Sequence, residues 1–426
     1  MPVLPARIDQ GTSCRPTIIP VSSKSLGAYL ETSLKATRLT VFLIVLLDVM
    51  GLGLIIPVQP FLAKSFGAST TTVTQLGTVY SLMQFALSPM WGSLSDRIGR
   101  RPVLLITLSI TFLGHVVFAL SQSLMLLFAA RLLTGIGAAN ISTAQAVLSD
   151  THAPSERSRA MALVGVAFGL GFVLGPALGG ALFHLDYRAP AALAGLLALA
   201  NLFLVLRCVK ETRPADIGVA PRTRPSLLTF LRADKELRGL IFTSLCMMTA
   251  FSLMEQSVGL FIESIWVVSS GDAGMKEATK LTSIFLVIVG ISAILVQGVL
   301  VRRWLRSRSE IVLLRGGLVV IAVSLLLIPI LGKAGSYALF ASSGALLALG
   351  SGMFNPSMLG LISLSCPPDR QGVGLAINQS ASALGRILGP LFAGALFAQS
   401  SSLPFLIGSL LTTVALGLSW RVRVVR

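Results

Sequence analysis

A short polar stretch separates two long apolar runs: Gly92-Ser93-Leu94-Ser95-Asp96-Arg97-Ile98-Gly99-Arg100-Arg101-Pro102. Gly99 is free to adopt a positive φ, which suits a tight turn. Pro102 suits the first position of a following helix, because its missing N–H would have no helical partner there. The stretch therefore predicts a turn where a membrane-embedded chain leaves the bilayer and re-enters it.

The composition of the whole chain is that of a membrane protein. Of 426 residues, 54% are hydrophobic and 12% are charged, whereas soluble domains have about 25% charged residues. A helix needs about 20 apolar residues to cross the hydrocarbon core. We read twelve such spans, at 39–61, 73–94, 102–121, 124–148, 160–183, 189–208, 239–265, 280–301, 311–331, 337–364, 372–397 and 403–420.

The net charge of +17 follows the predicted topology. Arginine and lysine are concentrated in alternate loops, which by the positive-inside rule predicts a multi-pass protein of the cell (inner or plasma) membrane with both termini cytoplasmic. The excess charge predicts contact with anionic lipids at the cytoplasmic face rather than with nucleic acid. The four cysteines have neither disulfide-like nor metal-binding spacing, so we expect no metal site.

Two motifs of the first half return in the second half. Gly135–Asn140 corresponds to Gly350–Asn355, and Gly171–Pro176 corresponds to Gly385–Pro390. A duplicated six-helix unit explains both repeats. The predicted organisation is a cytoplasmic tail at 1–38, a six-helix bundle at 39–209, a cytoplasmic linker at 210–238, a second six-helix bundle at 239–420 and a cytoplasmic tail at 421–426.

The opening stretch fills every position of the pattern G-x-L-(S/A)-D-R-x-G-R-R and thereby resembles the signature loop of the major facilitator superfamily. Positive-inside arginines alone would not explain Asp96 or the glycines. The resemblance implies an all-α membrane fold of twelve transmembrane helices in two pseudo-symmetric bundles, with the substrate site between them. It also implies that the loop is a conformational latch, in which Asp96 contacts the start of span 11. The residues of this latch are Gly92, Asp96, Arg97, Gly99, Arg100 and Arg101.

Three charged residues within the spans are candidates for proton coupling. Asp48 lies mid-span, where a charge costs about 2.5–3.5 kcal/mol and needs a partner or a purpose. Arg131 begins an R-x-x-x-G-x-G element that the family associates with proton transfer. Glu255 is a second proton site, a group that selects cationic substrates, or the ion-pair partner of Arg386. The alternatives are a structural hydrogen bond for Asp48 and a snorkelling role for Arg131.

Span 5 carries a stripe of glycines. Gly171, Gly175 and Gly179 recur every four residues, and Pro176 follows the second of them. The stripe resembles the antiporter motif G-x8-G-x3-G-P-x2-G-G of drug:proton exporters, although Ala162 stands at the first glycine position. Small residues at this spacing also occur wherever membrane helices pack closely.

These features predict secondary active transport, with protons and a small-molecule substrate as partners. We expect proton-coupled efflux of drug-like or amphipathic compounds by alternating access, in a monomer without cofactors and without enzymatic activity. The alternatives are a symporter or facilitator for a sugar, organic acid or lysolipid, and a non-transporting receptor or scaffold. The candidate substrate-cavity residues are Phe85, Asn140, Phe251, Met254, Asn355, Gln379 and Arg386.

Overall fold

The computed structural model describes residues 23–138, 143–144, 146–147, 154–211, 235–269, 271–296, 309–366 and 371–420, and this part of the chain contains helices but no strand. Its helices are α1 Ser23–Ile55, α2 Gln59–Ser65, α3 Thr70–Ile98, α4 Arg100–Ala119, α5 Leu124–Gly137, α6 Pro154–Phe183, α7 Ala189–Cys208, α8 Lys235–Trp266, α9 Gly271–Leu295, α10 Glu310–Lys333, α11 Tyr337–Ser365, α12 Gln371–Gln399 and α13 Leu403–Ser419.

Most of these helices have the length and hydropathy of membrane spans. Within the described residues, eight segments are long and apolar enough to cross a bilayer, and Leu124–Gly137, Gly169–Phe183 and Leu403–Ser419 are shorter apolar helices. The first span, Leu39–Ser65, includes the end of α1 and all of α2. The helix is interrupted at residues 56–58, which include Pro57, and α2 follows with Pro60 in its first turn. The prediction of an all-helical membrane protein is confirmed.

Two helices extend beyond the predicted membrane spans. The first helix begins at Ser23, before its membrane span, which starts at Leu39 as predicted. The polar stretch is mostly helical, since α3 continues to Ile98 and α4 begins at Arg100. Gly99 alone forms the turn, with the predicted positive φ of 105°. Pro102 is the third residue of α4, still within the first turn, where a missing N–H costs no helical bond.

The helices form two groups, α1–α7 and α8–α13, each with its own apolar packing. In the first group, α1 packs against α6 and α7, and the Asn201 amide of α7 donates to the Ile44 carbonyl at 2.9 Å. In the second group, Phe261 stacks on Phe340 with ring centroids 6.0 Å apart and meets Phe405 edge-on at 5.2 Å. These rings are completely buried.

The two groups meet along two helix pairs, α3 with α12 and α6 with α9. Several contacts lie at the end of the molecule opposite the Gly99 turn. Lys64 Nζ of α2 and Glu263 Oε2 of α8 form an ion pair at 2.5 Å. A methyl group added to Gly77 of α3 would lie 2.7 Å from Gln256 Oε1 of α8. The two halves are therefore in close contact at this end.

Candidate functional site

A cluster of ionisable side chains lies where the two halves meet, and Tyr80 of α3 is at its centre. Asp48 of α1, Arg131 of α5, Glu255 of α8 and Arg386 of α12 all lie near enough to Tyr80 to interact with it electrostatically. Glu255 interacts in the same way with both arginines. Five helices from both halves thus contribute to one cluster, which holds two acids and two guanidinium groups.

The Arg131 side chain is held between two aromatic rings. Its guanidinium carbon lies 5.6 Å from the centre of the Tyr80 ring and 5.8 Å from that of the Phe118 ring, within the range of cation–π attraction. The residue is only 5% exposed. A snorkelling arginine would extend its charge to water, so this burial between rings favours a role inside the protein.

The glycines that follow Arg131 bring α5 into contact with its neighbours. A methyl group added to Gly135 would lie 2.6 Å from the Tyr80 carbonyl oxygen of α3. An equivalent group on Gly137 would clash with Thr111 of α4. The R-x-x-x-G-x-G element therefore supplies both the guanidinium and the smooth surface that lets it approach the Tyr80 ring.

The glycine stripe of α6 packs on α1 directly after Asp48. A methyl group on Gly171 would lie 2.7 Å from Val49 Cγ1, and one on Gly175 would lie 2.7 Å from Gly53 Cα. Gly179 approaches the Leu54 carbonyl in the same way. The stripe therefore fixes the part of α1 that carries Asp48, and Pro176 lies within this contact.

The signature loop is held together by its own charges and by an acid from the end of the first half. The Asp96 carboxylate accepts a hydrogen bond from Arg100 Nη1 at 2.5 Å, and its side chain is 53% exposed. The Glu211 carboxylate accepts hydrogen bonds from the backbone N–H groups of Arg100 and Arg101, at 2.9 and 3.2 Å. It thereby caps the N-terminus of α4, where a negative charge is favourable.

Among the remaining residues of this loop, Arg101 Nη2 donates to the Leu206 carbonyl of α7 at 2.8 Å. The Gly92 position is open, since an added methyl group would meet nothing within 4 Å. Arg97 is exposed in the last turn of α3. In this structure, the loop is thus tied to α7 of its own half, and the expected contact with span 11 stays a prediction.

The candidate cavity residues lie in different environments. Phe85, Asn355 and Gln379 are exposed, and Arg386 is part of the charge cluster. Met254 is 2% exposed and belongs to the apolar core of the second half, against which Phe251 also packs. These two side chains therefore contribute to packing. Asn140 lies outside the described residues.

Two members of the site were not found in the sequence. Tyr80 lies in an otherwise unremarkable stretch of α3 and no sequence pattern marks it, whereas the structure packs Gly135 against its backbone. His115 of α4 is 5% exposed and interacts electrostatically with Arg131. A methyl group added to Gly51 of α1 would lie 3.5 Å from its Nε2, so it lies beside the helix that carries Asp48.

Two helical halves with a charge cluster between them define a polytopic membrane transporter. The family profile described as Major Facilitator Superfamily matches residues 41–340 and 314–426. The chain belongs to this superfamily, and it is a transporter rather than an enzyme.

Individual relatives agree with this assignment. The tetracycline resistance protein of class C from Escherichia coli is 30% identical over 385 residues, which cover 87% of this chain and 93% of that protein. The crystal structure of the human organic anion transporter MFSD10 (TETRAN) matches with a TM-score of 0.68 at 24% identity, covering 91% of this chain and 99% of that one.

A bacterial homolog of the human lysosomal transporter Spinster, in an inward-facing and occupied conformation, matches with a TM-score of 0.73 at 14% identity. The match covers 90% of this chain and 95% of that chain. Both solved structures therefore support the fold.

Proposed function

We propose that this protein exports drug-like, amphipathic small molecules in exchange for protons by alternating access. The observation that carries the proposal is the convergence of Asp48, Arg131, Glu255 and Arg386 around Tyr80 at the junction of the two halves. The similarity to a tetracycline resistance protein supports a drug-like substrate. The glycine stripe of α6, which resembles the antiporter motif, supports export.

The charge balance of the cluster gives a physical basis for coupling. With Asp48 and Glu255 ionised, two negative charges face two guanidinium groups. Arginine stays protonated, so only the acids exchange protons. A cationic substrate group and a proton would compete for the same carboxylates, and each can then enter the site only when the other has left.

Arg131 has a positioning role in this scheme. Its guanidinium is fixed between the Tyr80 and Phe118 rings and interacts with Glu255. The charge of a fixed guanidinium biases the proton affinity of a neighbouring acid without exchanging a proton itself. Asp48, which directly precedes the α1 residues that the α6 glycines contact, is the first candidate for the proton carrier.

Alternating access requires the contacts between the halves to open at one end and close at the other. The Lys64–Glu263 ion pair closes the end opposite the Gly99 turn. In the proposed cycle, this pair separates when Asp96 and its loop engage the start of α12. The proposed topology places the Gly99 turn and both termini in the cytoplasm of a monomer in the cell membrane.

A second candidate function is transport of an organic anion together with a proton. The specific observation that favours it is the pair of guanidinium groups, Arg131 and Arg386, in one cluster. Once an acid is protonated, the cluster carries an excess positive charge and would attract a carboxylate or a sulfonate. In this case the proton and the substrate move in the same direction.

Proton movement in proteoliposomes distinguishes these functions. We expect a lipophilic cationic drug, added to acid-loaded vesicles, to release protons from wild-type vesicles and not from vesicles with Asp48→Asn. Asp272→Asn is the matched control, because Asp272 is exposed at the start of α9. Uptake of an anion with protons would favour the second function. Full proton coupling in Asp48→Asn would exclude Asp48 as the carrier and make Glu255 the next candidate.

A further inference from the structure

A groove of about 550 Å³ runs along the junction of α6 and α9, the helices that join the two halves on one side. Its lining includes Ala177 and Ala181 of α6 and Ile284, Val287 and Ile288 of α9. The groove exists because the side chains that α6 contributes to its lining are small. At Gly180 the two helices touch closely, because an added methyl group would clash with Ser283.

The groove opens toward the lipid. Ala181 is exposed, and on α6 it adjoins the face that carries Leu174 and Leu178, which are 41% and 39% exposed. On α9, Ile284 and Ile291 lie seven residues apart on one face and are 39% and 48% exposed. Exposed leucine and isoleucine on a membrane helix are typical of a lipid-facing surface. The apolar floor therefore suits a hydrocarbon chain.

The polar end of the groove is cationic. Lys280 and His184 line it, both are exposed, and none of its lining residues is acidic. Within the described part of the chain, Lys280 forms no ion pair, whereas Lys276 one turn earlier pairs with Asp272 at 3.4 Å. A lysine at the end of an apolar groove lies where lipid headgroups meet the protein.

A buried hydroxyl also lines this groove. Ser283 is 5% exposed, and among the described residues its Oγ has no hydrogen-bond partner. Buried hydroxyl groups in proteins are generally hydrogen-bonded. Rotation of the Ser283 side chain toward the groove would let an acceptor oxygen beside Lys280 satisfy this donor.

We propose that the α6–α9 groove is a binding site for an anionic phospholipid. Its phosphate would contact Lys280 and His184, an oxygen of its headgroup or ester region would accept from Ser283 Oγ, and one acyl chain would lie on Val287 and Ile288. Charge complementarity selects an anionic lipid over a zwitterionic one. Because α6 and α9 belong to different halves, the lipid bridges the junction that must move during transport. This site is separate from the Tyr80 cluster, so the proposal stands whether or not the protein exports drugs.

Native mass spectrometry of the purified protein, titrated with dioleoyl-phosphatidylglycerol, tests the site. We expect wild-type protein to retain one such lipid more tightly than dioleoyl-phosphatidylcholine. Lys280→Gln should weaken this binding about fivefold, as expected for loss of one interfacial charge contact. Lys276→Gln is the matched control, because Lys276 is on the same helix and does not line the groove.

A second pair of variants tests the acyl-chain part of the site. Ala181→Leu should fill the groove from its exposed side and reduce phosphatidylglycerol binding, whereas Ala192→Leu at an exposed position of α7 should not. Equal binding of phosphatidylcholine would overturn the proposal. So would binding of inorganic phosphate that competes with the lipid and is unaffected by Ala181→Leu, because the site would then recognise a free anion.

Discussion

The guanidinium of Arg131 lies 5.6 Å from the centre of the Tyr80 ring, and the backbone of Tyr80 packs against Gly135 of the same arginine motif. Tyr80 thus contacts both the guanidinium and a glycine of the R-x-x-x-G-x-G element. The contact joins α3, which also packs across the junction, to α5, which lies within the first half. Movement of α3 relative to the second half would therefore carry the arginine with it.

The Tyr80 ring should matter more than its hydroxyl for the position of Arg131. We expect Tyr80→Phe to keep most of the transport rate, because the ring face is retained. Tyr80→Ala should lower the rate about tenfold, since it removes a buried cation–π contact and leaves a cavity. Initial rates in proteoliposomes measure both effects, with Tyr187→Phe at an exposed position as the control. Equal loss in Phe and Ala variants would assign the role to the hydroxyl.

The glycine stripe should be intolerant of one methyl group. In Gly175→Ala the new carbon would lie 2.7 Å from Gly53 Cα, so α1 and α6 must move apart. We expect a loss of about 1–3 kcal/mol in stability, typical of overpacking, seen as a lower thermal unfolding midpoint.

Gly417→Ala is the matched control for this change, because an added methyl group there meets nothing within 4 Å. Alanine favours a helix over glycine, so the control should unfold at the same temperature or slightly higher. A decrease of similar size in both variants would contradict a role for the α1–α6 contact.

The Glu211 carboxylate should stabilise the start of α4. Glu211→Ala removes the acceptor for the N–H groups of Arg100 and Arg101, and we expect it to cost about 1 kcal/mol, as loss of a helix cap does. Glu211→Gln keeps one acceptor oxygen and should cost less. Hydrogen exchange at the first turn of α4 measures the effect locally, and unchanged exchange in Glu211→Ala would refute it.

The Lys64–Glu263 ion pair should favour the arrangement in which the halves touch at this end. In a cysteine-free background, spin labels at the exposed positions Ser69 and Ser400 lie on opposite halves. We expect Lys64→Gln to shift their distance distribution to longer values. The double reversal Lys64→Glu with Glu263→Lys should restore the wild-type distribution. If the single variant leaves it unchanged, the pair does not influence this equilibrium, as is common for partly exposed pairs.

The sequence predicted local features better than it predicted contacts. The positive φ of Gly99 followed from a glycine in a short polar stretch between two apolar runs, and the helical spans followed from composition. The glycine stripe was visible, but its partner was not, because nothing in the chain indicates that Gly175 packs against Gly53. A repeated small residue shows that a helix is approached closely without showing by which neighbour.

The sequence predicted the charged residues of the cluster but not that all four converge on one site. Asp48 was identified because a charge within a span is costly, and Arg131 because it begins the R-x-x-x-G-x-G element. Glu255 and Arg386 were considered as a pair of opposite charges, without a link to the other two. Tyr80 was missed, since a tyrosine in a helix costs little and carries no pattern; only the packing of five helices makes it central. The Met254 side chain, predicted for the substrate cavity, is packed in the apolar core of the second half in this structure.

The hydrogen bonds from Arg100 and Arg101 to Glu211 have a mechanical consequence. Glu211 is the last described residue before the segment 212–234 that leads to the second half. Any displacement of Glu211 would therefore act on the Gly99 turn through these two hydrogen bonds. Because Arg101 also donates to the Leu206 carbonyl, the end of α7 and the start of α4 should move as one unit during transport.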